Sequence, residues 1–187
     1  MDMPQLSNKF NINNIFVTSV YVAEETVQNE KIQAVLSIEH PGAEEGKGKA
    51  PIMQNVTQKI LCFWDTENPE IEEGPSHETV QKGLDFIEAH KAEKILIHCK
   101  AGKCRSVGMA LGWLAKEYGI EAAITHIKKV SPKSAPNLLV VEICDEIYGF
   151  EGALTKAMLQ DSDFTQRRIA IRSRIGDLRK SNALERR

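Results

Sequence analysis

KILIHCKAGKCRSVGMALGWLAKEYG, residues 94–119, is the stretch from which the fold is read. KILIHC (94–99) predicts a buried strand, and SVGMALGWLAKEYG (106–119) predicts a long helix with a glycine where a C-cap belongs. Between them lies the short polar turn KAGKCR. A strand that feeds a helix through a tight turn gathers backbone N–H groups where they can converge on an anion.

Outward from this unit the chain alternates strand and helix. IFVTSV (15–20), IQAVLSIE (32–39) and KILCFW (59–64) predict three more strands, with a short helix, AEETVQN (23–29), after the first. PGAEEGKGKAPIMQN (41–55) and the acidic DTENPEIEEGPS (65–76) are loops by their glycine, proline and charge. A capped helix starts after Ser76. EAAITHIKKV forms another that stops before Pro132, and Pro136-Asn137 open a last core helix, LLVVEICDEIYGF. This order predicts an α/β fold: a central mixed sheet of about four to five strands flanked by helices, followed by a C-terminal helical tail.

Composition excludes several classes. The 187 residues are 42% hydrophobic and 27% charged, enough for a packed core and unlike a disordered chain. A net charge of -2 gives no whole-chain reason to bind nucleic acid or a membrane surface. No run approaches the ~18 apolar residues of a membrane span. The N-terminus, MDMPQLSNKFNINN, lacks the apolar core of a secretory signal. Cysteines at 62, 99, 104 and 144 are too few and too irregular for a disulfide scaffold. A reduced, cytoplasmic protein is expected. His40, His77, His90 and His126 show no metal-ligand spacing with the cysteines, so neither a metal nor a cofactor is expected.

Charge is unevenly placed. Residues 1–150 carry 15 basic against 21 acidic residues, and 14 of the basic ones are lysine; the sole arginine is Arg105. Residues 151–187 carry 9 against 5. An arginine used once among so many lysines points to a role that a point charge does not fill.

The chemistry is concentrated in His98-Cys99-Lys100-Ala101-Gly102-Lys103-Cys104-Arg105-Ser106. Successive amides from Lys100 to Arg105 and the following helix start form a cradle for a dianionic phosphate. Gly102 permits the unusual dihedrals and close approach such a loop needs. Arg105, six residues after Cys99, can grip two phosphate oxygens with its fork. The same positive surroundings favour the Cys99 thiolate, an in-line nucleophile at the cradle floor. His98 would orient the loop and bias the thiolate through its hydrogen bonds, and Ser106 can donate to the sulfur. The spacing His-Cys-x-x-Gly-x-x-Arg-Ser arises by chance in about one chain in 10⁵ of this length.

The leaving oxygen needs a proton, and a carboxyl at the pocket mouth can supply it, then activate water. Asp65, first in the loop after the third strand, is the foremost candidate; Glu67, Glu70, Glu72 and Glu73 compete.

The nine-residue loop resembles the active-site loop of cysteine-dependent protein tyrosine phosphatases, especially the dual-specificity group. That resemblance implies an acid from an aspartate some thirty-odd residues before the cysteine, which Asp65 matches at 34. It also implies a proline-and-asparagine turn before the last core helix, which SPKSAPN (131–137) matches. Residues 1–150 would be a phosphatase catalytic domain hydrolysing phosphate monoesters through a phosphocysteine, without metal. Phosphorylated proteins are the first substrate class. Lys100 and Lys103 also resemble the loops of phosphoinositide and inositol-pyrophosphate phosphatases, so inositol phosphates are the alternative. A catalytically silent phosphate-binding module is the rival from another class. Cys104 stands where the family usually has a small residue; it reads either as packing or as a redox partner for Cys99.

Residues 151–187 read as a basic amphipathic tail. Ile171, Ile175 and Leu178 share one face, with Arg167, Arg168, Arg172, Arg174, Arg179 and Lys180 around it. Three roles stay open: a helix docked on the acidic core, an element for a partner or acidic surface, or a solvated extension.

Overall fold

Four short strands form the centre of a computed structural model that describes residues 11–175. They are β1 (Ile15–Ser19), β2 (Ala34–Glu39), β3 (Thr57–Cys62) and β4 (Ile95–Cys99). Their order is β1-β4-β2-β3, and every ladder is parallel. The α/β class and the strand number are those expected, whereas the sheet is parallel throughout rather than mixed. Helical crossovers or long loops separate successive strands, and parallel pairing follows from such connections.

The central strands are buried on both faces, as parallel strands require. Ala34, Leu36 and Ile38 of β2 and Ile95, Ile97 and Cys99 of β4 join the main core. Val35 and Leu96 point the other way, into a smaller cluster with Ala23, Ile32 and Met53. The period-2 alternation thus serves two cores at once.

β3 ends two residues earlier than KILCFW suggests. The Phe63 amide still donates to Glu39 O at 3.1 Å, but the Trp64 amide turns away to Glu73 O at 2.8 Å, closing the acidic loop on itself.

The helices are α1 (Ala23–Glu30), α2 (His77–Ala89), α3 (Arg105–Tyr118), α4 (Ile120–Val130), α5 (Leu138–Tyr148), α6 (Ala153–Gln160) and α7 (Ser162–Ile175). Ser76 caps α2 by accepting the Thr79 amide at 3.2 Å, as its sequence promised. The buried α3 packs closely on α5 through two glycines. A Cβ on Gly112 would lie 2.4 Å from Cys144 Sγ, and one on Gly108 would lie 3.1 Å from Val140 Cβ.

The tail is built differently from its sequence reading. Leu154, Met158 and Phe164 of α6 and α7 belong to the main core, so one core continues past residue 150. The inward face of α7 is Phe164, Arg168 and Arg172, at i, i+4, i+8 spacing, and all three are buried. Ile171 is half-buried and Ile169 is exposed. Leu178, Arg179 and Lys180 lie outside the described residues. Among the described residues no helix is long and apolar enough to cross a membrane.

The glycine contact yields a signed prediction. Gly→Ala inside a helix ordinarily stabilises by about 1 kcal/mol. At Gly112 the added methyl would overlap Cys144, a clash of a kind that costs about 1–3 kcal/mol. Urea unfolding of Gly112→Ala is therefore expected to show a net loss of stability. A stability equal to or above wild type would contradict the close α3–α5 packing.

Candidate active site

Residues 100–104 leave the end of β4, and α3 begins at Arg105. The turn is tight because Gly102, at φ +66°, presses against β1. A Cβ there would lie 2.4 Å from Thr18 C and 2.5 Å from Ser19 N, both backbone atoms that have nowhere to go. From the other side, the Ala135 amide donates to Lys103 O at 2.8 Å and the Asn137 amide donates to Cys104 O at 3.2 Å. The loop is thus clamped between the end of β1 and the segment that precedes α5.

Cys99 is buried at the loop base, and its Sγ lies 3.2 Å from Ser106 Oγ in the first turn of α3. Arg105 is 3% exposed, so it does not wave in solvent. Its Nη1 donates to Glu39 O at 2.9 Å, on the last pair of the β2–β3 ladder, and to Phe63 O at 2.7 Å, just beyond it. Its Nε is buried and has no hydrogen-bond partner. One edge of the guanidinium is therefore anchored on the sheet, while a desolvated donor stays available. An unmet buried donor is costly unless something comes to meet it.

His98 departs from its expected role. Its Nε2 shares a 2.7 Å hydrogen bond with Ser37 Oγ on β2, and Ser37 Oγ also accepts from Gln58 Nε2 at 2.9 Å. Its Nδ1 has no partner. The ring therefore ties β4 to β2 and β3 and makes no hydrogen bond to the Cys99 sulfur. Burial pushes His98 down to about 4 from its ordinary 6.5, so the ring is neutral at physiological pH.

Lys100, Ala101 and Lys103 are exposed. The Lys100 stem crosses Gly48, where a Cβ would meet its Cδ at 2.9 Å and His40 Cε1 at 3.4 Å. His40 in turn lies 5.4 Å, ring to ring, from the part-exposed Trp64. Burial and then the Arg105 and Lys100 charges hold His40 below its ordinary range. Cys104 is buried and its thiol is pushed well above the ordinary value, first by burial and then by the Asp65 charge beside it. All four cysteines are free, so Cys104 is not bonded to Cys99.

Asp65 is half-buried; besides a hydrogen bond with the Cys104 thiol, two donors meet its Oδ1. Asn137 Nδ2 donates to Asp65 Oδ1 at 2.8 Å, and Arg172 Nη2 donates to the same oxygen at 2.7 Å. Asn137 also caps α5 through the Val140 amide at 3.0 Å, so one residue fixes the helix, the loop at 100–104 and the loop after β3 together. Of the competing carboxylates, Glu67 is fully buried and paired with Arg168, whereas Glu70, Glu72 and Glu73 are exposed. Sequence reading missed Ser37, Asn137's bond to Asp65, and the two tail arginines. Among the described residues no three His, Cys, Asp or Glu side chains cluster as a metal ion would need. A surface depression of about 830 Å³, lined by Tyr118, Ile120 and His126 among others, involves none of these groups.

No family model matches the chain. A curated relative, dual specificity protein phosphatase 1 of Arabidopsis thaliana, is 36% identical over 58 residues, 29% of this chain and 29% of that protein. The match therefore spans less than a third of the relative's length. Among solved structures, the human tyrosine phosphatase-like serine/threonine/tyrosine-interacting protein superposes with a TM-score of 0.61 at 19% identity, covering 76% of this chain and 97% of that one. PTPMT1, solved in complex with PI(5)P, superposes with a TM-score of 0.56 at 18% identity, covering 76% and 96%. The fold is that of the dual-specificity phosphatases. The chain is thus similar to the cysteine-dependent phosphatases of the dual-specificity group in fold, and over a short matched segment in sequence.

The neutral, buried His98 makes stability depend on pH. The unfolded ring takes up a proton as pH falls through about 6.5, and the folded ring does not until about 4. Folding therefore loses stability on acidification across that window, by up to about 1.4 kcal/mol per pH unit from this group. Urea unfolding of His98→Asn between those limits is expected to show a shallower pH slope than wild type. An equal slope would contradict the burial assigned to His98.

Proposed function

We propose that the protein is a phosphate monoester hydrolase that works through a phosphocysteine on Cys99, with protein phosphotyrosine and phosphoserine/threonine as its first substrate class. The observation that carries this reading is the anchored Arg105, whose buried Nε has no protein partner, at the end of a loop whose base holds the Cys99 sulfur. Arg105 and the amides of residues 100–105 would bind the three non-bridging oxygens and stabilise the charge on the phosphoryl group in flight.

In the first step the Cys99 thiolate attacks phosphorus as the bond to the leaving oxygen breaks. Asp65 gives its proton to that oxygen and becomes a carboxylate. In the second, Asp65 takes a proton from water as the water oxygen attacks phosphorus. Cys99 then departs as thiolate, eased by a hydrogen bond from Ser106. No step calls for a metal or cofactor. Residues 1–150 supply every reacting group in this scheme, and α6–α7 complete their support. Cys99 must stay a thiol, which suits a reducing, cytoplasmic setting.

A second reading, inositol phosphates or phosphoinositides, is favoured by the cations of Lys100 and Lys103 exposed at the loop. Turnover of phosphotyrosyl peptide, phosphothreonyl peptide and an inositol polyphosphate separates the two. The first reading expects the phosphopeptides to lead, with Cys99→Ser inactive and Asp65→Asn slower by about 10²-fold or more. A clear preference for the polyphosphate that Lys100→Ala/Lys103→Ala abolishes would transfer the assignment. Wild-type turnover no higher than that of Cys99→Ser would leave a phosphate-binding module instead.

A further inference from the structure

Two arginines from the tail reach inward to the acid loop, and nothing in the reaction scheme yet uses them. Arg168 Nε donates to both oxygens of Glu67, at 3.0 and 2.9 Å, and its Nη2 lies 2.7 Å from Glu67 Oε2. Arg172, 1% exposed at its side chain, spreads its fork over two residues. Its Nε lies 3.2 Å from Glu67 Oε1; its Nη1 donates to Asp65 O and its Nη2 to Asp65 Oδ1, each at 2.7 Å. Glu67 Oε1 also accepts the Leu138 amide at 3.0 Å, which ties the cluster to the start of α5.

Stability is a poor explanation for this arrangement. Removing ions from water costs several kcal/mol each, and well-packed apolar residues often do as well or better in their place. A helix that merely docked on an acidic core would need only exposed pairs, each contributing about 0–1 kcal/mol. A planar fork that meets a backbone carbonyl, a carboxylate oxygen and a neighbouring carboxylate fixes position and angle instead. Here it fixes Asp65 beside Asn137, whose own amide holds the phosphate loop through Cys104 O.

We propose that Arg172 is a positioning residue for the general acid, reaching from α7 to hold Asp65 over the phosphate loop, with Arg168 and Glu67 as its anchor. This rests on Asp65 being the proton donor. Oδ1 already accepts from Asn137 and Arg172, so the transferable proton resides on Oδ2. As the bond from phosphorus to the leaving oxygen breaks, that proton moves to the leaving oxygen. The carboxylate left behind meets the guanidinium already in contact with it.

A positioning role has a signature that loss of structure lacks: it shows only where the leaving group needs its proton. Wild type, Arg172→Gln, Arg172→Lys, Asp65→Asn and Asp65→Asn/Arg172→Gln are compared on phenyl phosphate and on an aryl phosphate whose phenol is acidic enough to leave unprotonated. Arg172→Gln is expected to lose about ten-fold or more in kcat on phenyl phosphate and less than about three-fold on the activated ester. In the Asp65→Asn background it is expected to add nothing on phenyl phosphate. Arg172→Lys, with one ammonium for three contacts, is expected to lose in the same selective way by a smaller factor. It serves as the test should the glutamine variant not fold. Equal losses on both esters, a further loss in the Asp65→Asn background, or a gain in rate would each overturn the positioning role alone. Absence of Cys99-dependent turnover by wild type on either ester would instead overturn the hydrolase reading on which it rests.

Discussion

The double donation from Arg105 Nη1 to Glu39 O and Phe63 O is the contact on which the site turns. It joins the start of α3 to the last residue of β2 and the residue just past β3, so the ends of these strands set where the guanidinium sits. Gly102 against Thr18 does the same for the loop at the β1 side. A parallel sheet delivers the ends of its strands to one edge, and the functional groups gather there because that is where backbone polar groups and loops converge. Had Arg105 been left to solvent, the ordering of its long side chain would fall on the phosphate binding proposed for it. Its burial means that this cost is met during folding.

The acid loop obeys a second constraint. Its strand has already ended at Cys62, so Asp65 has no ladder to hold it. Asn137 and Arg172 replace the ladder with side-chain donors, one from the cap of α5 and one from α7. The buried charges of Arg168, Arg172 and Glu67 make sense as a device for fixing that loop rather than as added stability. α7 thereby becomes part of the site's support, and the main core, which takes in Phe164, holds the helix in place.

Much of this was legible in the residues. The strand-turn-helix around Cys99 and Arg105 announced its fold, and its fixed spacing of cysteine, glycine and arginine is what the proposed chemistry starts from. Ser76 and Asn137 announced their helix starts through ordinary capping chemistry. The parallel sheet was not legible, since apolar runs give strand positions but not direction. The role of His98 was missed because its partner, Ser37, lies 61 positions away. The docking of the tail helix on the acidic core was among the readings its sequence allowed, but not which residues dock. Periodicity rewards aliphatic stripes and therefore favoured Ile171, Ile175 and Leu178. The face that docks is Phe164-Arg168-Arg172, whose burial makes sense only once the carboxylates opposite are known. One signal was available: arginine is rare before residue 150 and frequent after it, while an acidic loop with Asp65 and Glu67 stood without a partner.

The claim at the centre is that phosphorus passes through the sulfur of Cys99. Rapid acid quench during turnover of an activated aryl phosphate, followed by mass spectrometry of the peptides, tests it directly. A phosphoryl increment is expected on the peptide that carries Cys99, enriched in Asp65→Asn, where the acid that would activate water is gone. Turnover with no such adduct in that variant, or with phosphorus on another side chain, would contradict the account.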